Sequence, residues 1–329
     1  MRAWVLKSRP KGLPQTSDFD LVELPDPPLQ DGQLRVRNLW LSVDPYMRGR
    51  MNDVKSYVPP FQLGEPMTGG AVGEVVESRN PGFAPGDKVL HMAGWRDTAT
   101  IGAESMPQKL PPDMGVSDDV WLHNLGLTGG TAYFGLLRTA EAKTGDIVFV
   151  SAAAGAVGSA VVQIAKLKGM TVIGSAGGPD KVAFVKELGA DACIDYKAGP
   201  VLPQLMEAAP NGIDVYFDNV GGEHLDAAFA TARERARFAI CGMIDVYNDG
   251  KPQELRYIIR TIPTRLTMRG FIWTDYFAEI GTFQQEMGAW VTGGKIKART
   301  TVREGLDSTL DAFLGLFSGA NTGKMLVKL

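Results

Sequence analysis

The feature that most constrains this chain is a strand, a glycine turn and a helix in immediate succession. Ile147-Val-Phe-Val150 is followed by Ser151-Ala-Ala-Ala-Gly-Ala-Val-Gly-Ser159, and Val157, Val161, Ile164 and Ala165 then recur at helical spacing. Four β-branched or aromatic residues in a row read as a strand covered on both faces, as in a parallel sheet. Gly155 and Gly158 fall in the turn, among Ala153, Ala156 and Val157. A pyrophosphate can approach such a backbone without meeting a Cβ, and the helix N-terminus offers it amide N–H groups and a partial positive charge. Ala153 takes the first glycine position of G-x-G-x-x-G, so an ordinary tight turn between strand and helix stays open as the alternative.

The alternation continues downstream. Thr171-Val-Ile-Gly174 reads as a second strand, Pro179 to Leu188 as a helix stopped by Gly189, and Ala192-Cys-Ile-Asp195 as a third strand. Ile213–Phe217, Arg237–Cys241 and Leu266–Ile272 are further strand candidates. This pattern predicts an α/β fold with a doubly wound, Rossmann-type parallel sheet. Ligands of such sheets lie beyond the carboxyl ends of the strands, which here carry Ser151, Ser175, Asn219 and Cys241-Gly242-Met243. An NAD enzyme commonly ends its second strand with a carboxylate for the ribose 2′-OH, whereas this chain reads Gly174-Ser-Ala-Gly-Gly-Pro-Asp-Lys181. Ser175 and Lys181 can meet a 2′-phosphate, and Tyr196 can reach the same region, so NADP(H) is the expected cofactor. A solvated Asp180–Lys181 pair at a helix start is the plainer reading of that stretch.

Composition bounds the rest. With 329 residues, 44% hydrophobic and 22% charged, the chain is long enough for a large core, and two domains are expected. Fourteen of the 20 prolines precede residue 113, among short strands and turns, and short β-like segments return after Lys297. A β-rich domain over 1–122 and 300–329 and a dinucleotide domain over 123–299 follow. A net charge of −3 with no long basic run gives no sign of a nucleic-acid partner. No apolar run reaches the ~20 residues that span a bilayer. The N-terminus lacks a signal-peptide pattern, and a cytoplasmic location is the default expectation. Cys193 and Cys241 read as free thiols, and His91, His123 and His224 are not at ligand spacing, so no metal is assigned.

Five separated motifs run in order along the chain: Ser42-Val-Asp-Pro-Tyr-Met-Arg48, Gly126–Gly135, Val150–Ser159, Tyr216-Phe-Asp-Asn-Val-Gly-Gly222 and Gly319-Ala-Asn-Thr-Gly-Lys324. Together they resemble the zinc-independent leukotriene B4 dehydrogenase/prostaglandin reductase group of the medium-chain dehydrogenase/reductase superfamily, which includes alkenal double-bond and curcumin-type reductases. The resemblance implies a GroES-like β-rich domain, a homodimer, and reduction of a carbon–carbon double bond conjugated to a ketone or aldehyde. Hydride would reach the β-carbon while charge gathers on the carbonyl oxygen, which calls for a hydrogen-bond donor. Tyr247 and Tyr46 are the protein candidates, with the nicotinamide ribose hydroxyl as the alternative. Plant relatives place a tyrosine where this chain has Pro263. The resemblance also implies cofactor contacts from Lys181, Tyr196, Asn219, Phe271, Ile272, Trp273 and Asn321, and an apolar substrate wall from Trp95, Trp273 and Phe61. A quinone reductase, a zinc-free alcohol dehydrogenase and a non-catalytic NADPH-binding protein are the other readings kept open.

Overall fold

The computed structural model describes every residue except Asp113 and Lys251. The chain divides into two units: Met1–Leu122 with Thr300–Asn321 and Met325–Leu329, and His123–Arg299 with Thr322–Lys324.

In the β-rich unit the strands run in the order Thr300–Glu304, Lys324–Lys328, Leu34–Ser42, Ala71–Ser78, Lys88–His91, Gln108–Lys109, and Thr98–Ile101 also pairs with Leu34–Ser42. Arg2–Leu6 and Phe19–Glu23 form a separate antiparallel pair. Leu34 and Val36 are buried while Arg35 is half-buried and Arg37 exposed, the period-two pattern of a half-buried strand. A core around Trp4, Leu41, Met47, Phe61, Trp95 and Phe313 lies behind the loop that follows Ser42.

In the nucleotide unit six parallel strands run Ala192–Asp195, Thr171–Ala176, Ile147–Val150, Ile213–Asp218, Ala232–Ile240, Thr267–Gly270. In chain order this is 3-2-1-4-5-6, the doubly wound arrangement, so the topological switch falls between Ile147–Val150 and Ile213–Asp218. Val148, Phe149 and Val150 are fully buried, each worth roughly 1.5–3 kcal/mol of apolar burial. The helix over Pro179–Glu187 has proline at its start, where the missing N–H costs nothing. The last strand stops at Gly270, short of Ile272, because the Asp275 carboxylate takes the Ile272 N–H at 3.0 Å and starts a helical turn.

Candidate functional site

The glycine turn is built by its own backbone. Ala152 adopts a left-handed φ of 48°, and the Gly155 N–H returns to Ala152 O at 2.9 Å. A Cβ on Gly158 would collide with Ala152 O, so the helix Ala156–Leu167 packs on the turn only with glycine there. Gly155 has a different role. Its φ of −84° suits any residue, and the one close atom a Cβ would meet is Ala152 O at 3.2 Å. Its bareness leaves the front of the turn open. Ala153 is buried and donates its N–H to Ser175 O at 2.8 Å, tying the turn to the second strand. Gly323 pairs with Gly155 and donates to Ala154 O at 2.7 Å, a buttress from near the C-terminus. Gly155 offers the helix start no side-chain cap, so the amides of Ala156, Val157 and Gly158 make up an uncapped first turn. These residues fit a dinucleotide pyrophosphate.

At the tip of the second strand the expectation for Ser175 is corrected. Its side chain is fully buried and its hydroxyl is bonded to His224 Nε2 at 2.8 Å, leaving no surface for a phosphate. Burial lowers the His224 pKa to about 4, so the ring is neutral at physiological pH. Tyr196 is exposed beside this pair, its ring edge-on to His224 at 5.6 Å. Lys181 sits on the first turn of its helix. Burial, and then the neighbouring Lys197, lower its pKa. Asp195 Oδ1 accepts the N–H groups of Gly178 and Lys197, both at 2.9 Å, and these bonds hold its carboxyl below the usual range. Lys197 was not singled out from sequence, Gly177 appeared only within the stretch after the second strand, and His224 only as a histidine outside ligand spacing.

The switch point is organised by Asp218. Its Oδ1 accepts from Tyr216 Oη at 2.7 Å, Ser151 Oγ at 3.3 Å, Val220 N at 2.9 Å and Gly221 N at 2.8 Å. Oδ2 is buried with no hydrogen-bond partner, and burial pushes the carboxyl pKa up. Asn219 locks the neighbouring loop, its side-chain amide donating to Ser151 O and its N–H to Ser151 Oγ, both at 2.8 Å. Cys241 and Gly242 both donate backbone N–H to Asp218 O. Burial pushes the Cys241 thiol up to about 12, which makes it unreactive near neutrality. Met243 N–H donates to the Tyr247 hydroxyl at 3.3 Å, and that hydroxyl lies 2.9 Å from where a Gly242 Cβ would stand.

The Trp273 ring fills the space a Cβ on Gly130 would need, and Phe271 does the same at Gly135, while both residues stay half-buried. Ile272 has its N–H and C=O engaged with Asp275. Trp95 and Phe61 are core residues of the β-rich unit, not an open wall. In that unit Tyr46 precedes the short helix Met47–Arg50 and is hydrogen-bonded to Arg50. Burial and then Asp44 raise its pKa well above the ordinary phenol value, so it stays a neutral hydroxyl. Asn321 belongs to the β-rich unit, two positions before Gly323.

Each histidine has a structural partner: His91 with Asn38 Oδ1 and the Ala93 N–H, His123 with Ala156 O, His224 with Ser175. Among the described residues no three His, Cys, Asp or Glu side chains gather as a metal site.

Two family models match, one described as the N-terminal domain of oxidoreductase over residues 2–109 and one as zinc-binding dehydrogenase over 156–292. The NADPH-dependent curcumin reductase of Escherichia coli (strain K12) is 40% identical over 341 residues, spanning 100% of this chain and 96% of that protein. The 2-alkenal reductase (NADP(+)-dependent) of Nicotiana tabacum is 38% identical over 329 residues, spanning 98% of this chain and 96% of that protein. The crystal structure of CurA in complex with NADPH from Vibrio vulnificus superposes with a TM-score of 0.94 at 40% identity, covering 100% of this chain and 99% of that one. Full-length identity at this level, with the same overall fold, shows that the chain belongs to the zinc-independent medium-chain dehydrogenases/reductases, in their NADP-dependent alkenal and prostaglandin reductase group.

Proposed function

We propose that this chain is a cytosolic NADPH-dependent reductase of the carbon–carbon double bond in α,β-unsaturated ketones and aldehydes. The observation that carries the reading is the open glycine turn at Gly155–Gly158 together with a second strand, Thr171–Ala176, that is followed by the bare Gly177 rather than by a carboxylate, with Lys181 on the helix after it. The substrate class comes from the relatives: a 2-alkenal has its double bond conjugated to an aldehyde. NADPH, when bound, supplies hydride for the β-carbon. The chain holds the pyrophosphate at the turn, and its tyrosines supply the donor for the carbonyl oxygen. Tyr247 is steadied by Met243 N–H, and Tyr46 by Arg50, whose guanidinium can only donate, so the phenol oxygen is the acceptor in that bond. In this reading one of these phenols gives a hydrogen bond as negative charge develops on the carbonyl oxygen.

The test is loss of NADPH absorbance with a panel of enones, enals and quinones, with NADH in parallel and EDTA present. NADPH-selective, EDTA-insensitive turnover of enones to saturated carbonyls supports the reading, and a preference for quinones overturns it. Tyr247→Phe or Tyr46→Phe lowers kcat by roughly 10²-fold if that tyrosine is the donor. Full activity in both variants removes the tyrosines from the chemistry.

We also propose that two copies pair through Thr267–Gly270, which is the edge strand of its sheet and is exposed along its length. Ile259 and Ile262, 65% and 72% exposed, precede it, and large apolar side chains at that exposure are unfavourable in a lone subunit. Sedimentation should show a dimer that Ile262→Asp converts to monomer. A monomeric native protein would end this proposal.

A further inference from the structure

How the chain tells NADPH from NADH can be read at the tip of its second strand, and the inference rests on the NADPH reading above. In dinucleotide folds a carboxylate about 20 residues after the glycine turn binds the ribose 2′-OH of NAD. The residue that follows the strand Thr171–Ala176 here is Gly177. Its φ lies outside the left-handed region, so the backbone would accept any side chain. The surroundings would not. A Cβ on Gly177 would stand 2.5 Å from Tyr196 Oη, 2.6 Å from Tyr196 Cζ and 3.0 Å from Lys197 Cε. The space into which an aspartate would grow is occupied by the tyrosine ring and the lysine stem.

Lys197 is fixed there by its backbone. Asp195 Oδ1 takes both the Lys197 N–H and the Gly178 N–H, which joins the end of the third strand to the start of the helix that bears Lys181. The two ammonium groups are near enough for Lys197 to lower the Lys181 pKa. The Asp195 carboxylate also feels the Lys197 charge, so one acid stands beside the lysines and the exposed phenol. Ser175, the other polar side chain at this tip, is buried against His224.

We propose that Lys197 is a specificity-determining residue whose ammonium joins Lys181 and the Tyr196 hydroxyl on the 2′-phosphate. Gly177 stays bare so that Tyr196 and Lys197 can stand where an NAD-type carboxylate would.

Calorimetric titration with 2′-phospho-ADP-ribose and with ADP-ribose tests this without turnover. Lys197→Ala should weaken the phosphorylated ligand by roughly 10- to 100-fold and leave ADP-ribose unchanged, with Lys197→Arg restoring part of the loss. Gly177→Asp alone should weaken the phosphorylated ligand and gain nothing for ADP-ribose, because Tyr196 blocks the carboxylate. Adding Tyr196→Ala to Gly177→Asp should then raise ADP-ribose affinity. An unchanged ratio of the two affinities in Lys197→Ala overturns the role of Lys197. A single Gly177→Asp change that confers ADP-ribose binding overturns the occupied-tip argument. Equal binding of both ligands by the unaltered protein would instead defeat the NADPH reading itself.

Discussion

Two strand tips in the nucleotide unit are built on opposite plans. At the switch point, Ser151, Tyr216, Val220 and Gly221 all converge on one buried oxygen of Asp218, and the loop backbones have little freedom left. At the tip of Thr171–Ala176, exposed Tyr196 and Lys197 lie over a bare Gly177, next to Lys181. The first plan fixes backbone shape and the second holds charge at the surface. Backbone shape and surface charge are therefore separable here, and each can be broken without the other.

The largest effect should come from the pinned tip. Asp218→Ala leaves Tyr216 Oη and the Gly221 N–H buried, and the Val220 N–H part-buried, without their acceptor, and each fully buried group costs about 1–3 kcal/mol. A loss of about 4 kcal/mol in denaturant unfolding is expected. Asp218→Asn keeps an acceptor oxygen and removes only the charge that burial already disfavours, so it should cost much less. Equal losses in the two variants would show that the negative charge, not the acceptor, organises the loops.

Next in size is a pH effect between the two regions, at His224 under Ser175. The folded pKa is about 4 against an ordinary 6.5, so between those values the unfolded chain binds the proton and the folded one resists it. Stability should fall as pH drops from 6.5 to 4, by on the order of 3 kcal/mol, and be insensitive to this group outside that window. His91, in the β-rich unit, is lowered to about 3 by burial and then by Arg96, and adds a slope of the same sign. Its Nδ1 accepts the Ala93 N–H, so its protonation would break that bond. Melting midpoints of the native protein and of His224→Asn across this range separate the two. An unchanged slope in His224→Asn would assign the acid sensitivity to groups other than His224.

The contrast also explains what was legible in the sequence. Runs such as Ile147–Val150, punctuated by glycine and proline, are local signals, and the parallel strands, the glycine turn and the Asn219 loop could be read from them. Ser175 could not. A strand covered on both faces shows no alternation, so nothing local reveals that its hydroxyl turns toward a histidine 49 residues away. The same holds for Trp273 over Gly130 and for Asp218 under three segments: these are long-range pairings, and the residue types alone favour an exposed reading as much as a buried one. Lys197 was missed for a different reason, since a lone lysine after a strand carries no pattern until Gly177 and Tyr196 are seen around it.

The smallest effect should come from Tyr196→Phe, and it discriminates most finely. The phenylalanine ring would still cover Gly177 and still meet His224 edge-on, so only the hydroxyl is lost. If Tyr196 belongs to the charge-holding tip, stability should stay within about 0.5 kcal/mol, as for most surface changes. Affinity for 2′-phospho-ADP-ribose should drop roughly 5- to 10-fold, the worth of one hydrogen bond. A stability loss above about 1 kcal/mol with unchanged affinity would place Tyr196 with the buried Ser175–His224 pair instead. The boundary between the pinned and the charge-holding regions would then run outside Tyr196, leaving the two lysines alone to read the phosphate.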